Sequence, residues 1–451
     1  MSLIMFLFWL VVLSTEGYLF ATCVLGKTHK TLHTALALPL ASLLNFFLLY
    51  KYAVLGITLR FIPFLLGHIL IIGLLLCFIQ YQKRFLQNGP SPIIATTSPW
   101  IAPTWIRGCC IILLSISFIF SAAHTFFIPT VQFDSFTNWT MRSRISYEDQ
   151  AMAFDTTEQR GMAKPQYPFL MHGLQILVQQ GSHSWSDRAG NIIIYFLILS
   201  GLTCIFLLIR LLRGTSTALV TITILTGIPL LHMHLIPGYG DIPLLLWLCI
   251  GLISMALYAD NHNVRWLILS GLCVIMGCFT KLEGLQTGVL PFLLLLVLFM
   301  KQRPVERIRI AIVGAGSIVL AALFPIFLLS KGLPLSPHGT DFALEVSTKA
   351  IALIPSAMFA SGSFGIIWYA ILLMLAFIGF AWKKHFAALD RRKLWTLTWG
   401  LFVSAEFVFL YTCTSNAQFL INQESFFRQM LIPAALLIVG FAVVLKKPTS
   451  S

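Results

Sequence analysis

An all-α polytopic membrane protein of about thirteen transmembrane helices is the fold class this sequence predicts, on three observations. The 451 residues are 58% hydrophobic and only 10% charged, with a mean hydropathy of +0.87, too few charges to cover a water-soluble chain of this length. Apolar runs of ~20 residues, the length a helix needs to cross a bilayer, recur along the chain. The ~10-residue alternating segments of a membrane β-barrel are missing from it.

The first span, 3–24, lacks a basic leading segment and an A-x-A cleavage pattern, so it reads as an uncleaved anchor. Spans 33–50 and 61–81 follow closely. A stretch at 82–106 containing "NGPSPIIATTSP" then links these three leading helices to the rest. Span 107–128 runs into the longest polar segment, 129–189. There Phe154, Met162, Tyr167, Phe169 and Leu170 stand among charges, and short helices lying on the membrane surface are expected. Spans 190–211, 216–236, 242–259, 265–281, 285–300 and 308–330 come next, joined by short loops. A second polar loop, 331–361, precedes spans 362–382, 394–413 and 427–445. The chain divides into residues 1–106, three leading helices and a linker, and 107–451, a membrane module that includes loop 129–189.

The formal charge of +14 would suit a nucleic-acid partner, but its distribution gives another reading. Nineteen of the 30 Lys and Arg, from Lys27 and Lys30 to Lys446 and Lys447, fall in short loops on one side of a thirteen-span chain. The positive-inside rule makes that side cytoplasmic, and the excess becomes an orientation signal and a contact for anionic membrane lipids. No nucleic acid is needed, and the expected location is the inner (plasma) membrane. Of the acids, Asp260, Glu306 and Asp390 belong to the cytoplasmic side. Glu16 and Glu406 fall within spans, where an ionisable group usually faces a cavity or a partner. The rest lie at the outer face. All nine cysteines sit in apolar runs without C-x-x-C spacing, as small core residues rather than disulfides or zinc ligands.

Five polar clusters fall on the outer side. In "FDSFTNWTMRSR", 133–144, a helix would place Asp134, Asn138 and Arg142 on one face, with Arg144 close by. Asp134 as a plain N-cap, with the arginines against headgroups, accounts for the same residues. "KPQYPFLMHGL", 164–174, is a Pro-broken loop that seats Tyr167 at the interface. "PGYGDIPL", 237–244, is a tight turn in which Asp241 opens the next helix; capping explains Asp241 but not Tyr239. In "FTKLEGLQTG", 279–288, Lys281 and Glu283 interrupt an apolar run, as a self-neutralising pair would. Gly284 and Gly288 also break the helix at membrane depth, which is tolerated mainly beside a cavity. "NQESFFRQMLIP", 422–433, sets Arg428 one turn from Glu424, a weak surface pair. An arginine just below the outer surface also suits phosphate oxygens. Each cluster has a bland account alone; five on one face and none comparable on the other point to a functional site.

The order "FD-x2-T-NW-x2-R-x-R … YP … GYGD-IPL … TKLEG … ESFFR" resembles bacterial glycosyltransferases of the GT-C superfamily. It is similar to a branch with a W-D-A-W-x-x-W-x-x-(K/R)-A-(K/R) opening, a Y-P-L-L segment, a G-Y-A-D-x-P-L turn and a T-K-N-E-G element. The resemblance covers roughly 110–440. Phe133 stands where that branch often has Trp, Gly240 where it has Ala, and Leu282 where it has Asn.

The resemblance implies a GT-C-like fold and an extracytoplasmic glycosyltransferase, hexosyl or pentosyl. Its donor would be a polyprenyl-phosphate-linked sugar and its acceptor an extracytoplasmic lipid, glycan or protein. Asp134 would be the catalytic base. Tyr167, Tyr239 and Asp241 would line the site, Lys281, Glu283 and Arg428 would belong to the donor pocket, and Asn138 and Arg142 would support Asp134. Direct displacement would invert the anomeric centre. It needs a base for the acceptor hydroxyl and cations for the departing phosphate, drawn from Arg142, Arg144, Lys281 and Arg428. Asp134, Asp241 and Glu283 are also oxygen ligands that suit a divalent metal. Lys281 beside Glu283 argues against that, and no cofactor is counted on. The alternative readings are a lipid-linked polysaccharide polymerase or ligase, whose essential groups would be arginines, and a secondary transporter using Glu16, Glu406 and Lys281.

Overall fold

The computed structural model describes residues 3–26, 30–85, 101–128, 130, 135–154, 166–235, 238–333, 335, 343–383, 390, 393–422 and 425–445. The chain begins with α1 (Leu3–Leu25), α2 (Lys30–Leu55), α3 (Phe61–Phe85) and α4 (Thr104–Phe127). A π-helical turn, Ser135–Thr140, opens the polar segment and leads into the short helices α5 (Met141–Glu148) and α6 (Leu170–Leu177). Then follow α7 (Asp187–Arg213), α8 (Thr215–Thr226), α9 (Pro229–His234), α10 (Asp241–Asn261), α11 (Val264–Thr280), a π-helical turn at Leu285–Val289, α12 (Leu290–Gln302) and α13 (Arg307–Ser330). The chain closes with α14 (Thr348–Pro355), α15 (Ile367–Lys383), α16 (Trp395–Cys413), α17 (Ala417–Ile421) and α18 (Phe426–Val444).

The protein is thus an all-α polytopic membrane protein. Among the described residues, ten helical segments are long and apolar enough to cross a membrane, against thirteen predicted. The three that fall short have local causes. The 216–236 run breaks after Gly227, where Pro229 begins α9 without a backbone N–H to give. The helix at 265–281 stops at Thr280 because Lys281 turns extended, with φ −147° and ψ 148°. Turns at 361–366 delay the start of α15, leaving 17 residues.

The centre of the bundle is α10, apolar on every side and 94% buried over its most apolar stretch, as a helix enclosed by others must be. It packs against α7, α11 and α18. At the rim, α3 and α4 expose rows of large apolar side chains, including Leu66, Ile69, Leu70, Ile112, Ile116 and Ile119.

The leading helices are built into this bundle. α2 packs on α7 and α6, and its Phe46 stacks 3.9 Å from Phe279 of α11. From α1, the Trp9 indole donates to the Gln180 carbonyl at 3.0 Å. Between α2 and α3, the Leu59 amide donates to the Gln150 carbonyl at 2.7 Å and Arg60 Nε to Gln150 Oε1 at 2.5 Å. The polar segment therefore rests on the leading helices at Gln150 and at Gln180.

Candidate functional site

The site forms where the polar segment meets the ends of α10, α11 and α18. The widened turn Ser135–Thr140 carries Trp139 inward; such π-turns are frequent where a helix serves a site. Trp139 stacks flat on Tyr167, centroids 4.9 Å apart and planes within 3°, and leans on His172 at 5.1 Å. Stacked pairs of this kind add about 0.5–1.5 kcal/mol beyond their burial. A Cβ on Gly240 would come within 2.8 Å of the Trp139 ring and 2.9 Å of Lys281 Cγ. The indole and the lysine stem therefore close over the start of α10, and glycine is the residue that admits both.

Lys281 caps α11 and is buried. Its Nζ donates to Asp241 Oδ1 at 2.9 Å and lies 3.2 Å from Glu283 Oε1. A buried ammonium is tolerable only with such pairing. The loop that delivers Glu283 is tight. Gly284 packs against the backbone of Gly277, and a Cβ there would lie 2.4 Å from the Gly277 carbonyl carbon. The following π-turn is pinned by the Trp399 indole, which donates to the Thr287 carbonyl at 2.8 Å, and by Thr287 Oγ1, which donates to the Glu283 carbonyl at 2.9 Å. From α18, Gln429 Nε2 reaches Glu283 Oε1 at 3.3 Å. The Arg428 guanidinium stands over the Tyr239 ring at 4.9 Å, within electrostatic reach of both Asp241 and Lys281.

Six sequence-predicted residues thus converge: Tyr167, Tyr239, Asp241, Lys281, Glu283 and Arg428. Asp134 and Glu424 lie outside the described residues. Asn138 is buried on the same π-turn as Trp139, its Oδ1 without a partner among the described residues.

Two arginines go elsewhere. Arg142 is fully buried, donating Nε to the Ala153 carbonyl at 3.1 Å and Nη1 to the Tyr167 carbonyl, with its face on Phe154 and Phe169. Burial draws its guanidinium down to about 9. It clamps the loop under Tyr167 through these two backbone carbonyls. Arg144 is half-exposed and pairs with Glu148 at 2.8 Å, away from the convergence.

Trp139, Gln429 and Tyr411 were not singled out by the sequence. Tyr411 shares a 2.8 Å hydrogen bond with Ser425 and lies within electrostatic reach of Glu283. Trp139 and Gln429 stand inside quoted motifs, one residue from Asn138 and Arg428, so motif position was the available signal. Tyr411, in an apolar run, gave none.

The sequence model of the dolichyl-phosphate-mannose-protein mannosyltransferase family matches residues 164–328. Among solved structures, ArnT from Cupriavidus metallidurans in the apo state is similar, with a TM-score of 0.53 at 13% identity over 75% of this chain and 60% of that one. ArnT from the same organism bound to undecaprenyl phosphate gives a TM-score of 0.50 at 15% identity, over 74% and 60%. The chain thus spans about 60% of the length of these structures. No curated protein matches it in sequence.

Proposed function

We propose that the protein is an integral membrane glycosyltransferase that moves a sugar from a polyprenyl-phosphate donor to an extracytoplasmic acceptor. The observation that carries this reading is the convergence of Tyr167, Tyr239, Asp241, Lys281, Glu283 and Arg428 at one end of a GT-C bundle. Recognition of undecaprenyl phosphate by the structurally similar ArnT supports a lipid phosphate as the donor's carrier.

In the proposed reaction the acceptor oxygen bonds to the anomeric carbon from the face opposite the phosphate. The carbon–oxygen bond to the phosphate breaks, and polyprenyl phosphate leaves with the electron pair. The acceptor's proton goes to Asp134, one residue before the π-turn that carries Asn138 and Trp139. Arg428 neutralises the charge gathering on the leaving phosphate, since a guanidinium stays ionised and matches phosphate oxygens. Lys281 is the positioning residue that bridges Asp241 and Glu283 and offsets their mutual repulsion. Its ammonium already fills the place between the two carboxylates that a divalent cation would take. The inverting displacement predicts that Asp134→Asn lowers transfer by at least ~10²-fold, within the usual range for a positioned base. Expression in membranes and donor binding should be unchanged. Radiolabelled sugar transfer in membrane vesicles measures it, and retained activity would remove Asp134 as the base.

A further inference from the structure

We propose that Glu283 and Gln429 form the subsite that reads the sugar of the donor, by accepting hydrogen bonds from its hydroxyl groups. The inference rests on the transferase reading above and concerns which sugars that site accepts.

Gln429 is 5% exposed, and its Nε2 reaches Glu283 Oε1. That contact fixes how the amide is turned, because an amide oxygen facing the carboxylate would be repelled. The Gln429 oxygen therefore points away from the carboxylate, and it has no partner among the described residues. Glu283 is in the same position. Its Oε1 serves Lys281 and Gln429, while its Oε2 is buried without a partner among the described residues. Two neighbouring acceptors withdrawn from water, with no donor among the described residues, are costly to leave unmet. A ligand that brings donors to both regains that cost on binding.

The surroundings say which donors fit. Lys281 and Gln429 occupy Glu283 Oε1, so Oε2 and the Gln429 oxygen face the ligand as acceptors. The carboxylate would repel an acidic sugar. Hydroxyl groups supply the donors both oxygens need, so the sugar class is a hexose or pentose without an acidic group. Arg428 precedes Gln429 in α18, and consecutive helical side chains diverge by about 100°. Arg428 can thus address the phosphate from over Tyr239 while Gln429 addresses the sugar.

The test is binding to the full-length protein in lipid nanodiscs. The probes are polyprenyl-phosphate-linked neutral hexoses and pentoses, their singly deoxygenated forms, a polyprenyl-phosphate uronic acid, and bare polyprenyl phosphate. The wild type is expected to bind a neutral sugar donor about 10- to 100-fold more tightly than at least one of its deoxy forms, the size of a hydrogen bond to a charged acceptor. Gln429→Met should erase that difference and leave the affinity for bare polyprenyl phosphate unchanged. Equal binding of all deoxy forms, an equal loss for the bare lipid, or preference for the uronic acid would overturn the proposal. Where Gln429→Met does not fold, the deoxy series on the wild type decides alone. If the wild type binds no polyprenyl-phosphate lipid, the transferase reading falls and takes this one with it; failure of the deoxy series alone leaves that reading standing.

Discussion

Lys281 sits beside two carboxylates, and the cation it brings is consumed by holding them. On the proposed function that division of labour, a saturated lysine and an arginine over an aromatic ring, leaves Arg428 as the cation for the phosphate. His172 shows the opposite solution to burial. It is fully buried against Trp139, and burial first, then the Arg142 charge, keeps its imidazole well below the ordinary 6.5. The sign follows directly. Above the unfolded value of ~6.5 both states hold the ring neutral, and the folded state loses nothing. As pH falls below it, the unfolded chain takes up a proton that the folded chain refuses, so stability is lost toward acid. The melting temperature in detergent should therefore fall between about pH 6.5 and 5. His172→Phe, which keeps a ring on Trp139, should flatten that limb; an unchanged acid limb would contradict the assignment.

The helix-breaking loop between α11 and α12 carries the element-scale prediction. Gly284 meets the Gly277 backbone, which cannot step aside, whereas Gly288 faces side-chain tips, with Leu248 Cδ2 3.0 Å and Val274 Cγ1 3.5 Å from an added Cβ. Gly284→Ala should cost about 1–3 kcal/mol through overpacking and displace Glu283. Gly288→Ala should be mild, because a leucine methyl can yield. Thermal melting and transfer assays of the two variants side by side measure this, and equal losses would refute the distinction. This loop was legible in the sequence because charges and glycines in an oily run are rare and expensive. So were the long spans, whose periodless apolar runs admit one explanation in a bilayer. The breaks at Gly227 and at 361–366 were less legible, since an apolar run stays apolar when the backbone within it kinks. The fate of Arg142 was hidden for a different reason. An arginine in a polar run reads as a surface residue, and nothing in its neighbours announces that two backbone carbonyls hold it buried.

At the scale of the whole molecule, the three leading helices are the part whose purpose sequence could not supply, and their contacts give one. We propose that they brace the polar segment that carries Trp139 and Tyr167: Trp9 holds Gln180, and the α2–α3 turn holds Gln150. Their own alignment is tied by a hydrogen bond at membrane depth, where Glu16 of α1 and His68 of α3, both fully buried, meet at 2.5 Å. Trp9 packs on His68 with ring centroids 5.7 Å apart, which couples this pair to the brace. Removing one partner leaves the other buried and unsatisfied, at a cost of about 1–3 kcal/mol, whereas replacing both with apolar residues is often nearly neutral. Glu16→Leu and His68→Leu should each lower the melting temperature in detergent and reduce sugar transfer together with it. The double variant should recover most of both losses. If the two single effects simply add, the pair is not coupled. If stability falls while transfer per folded molecule does not, the leading helices stabilise the protein without positioning its site.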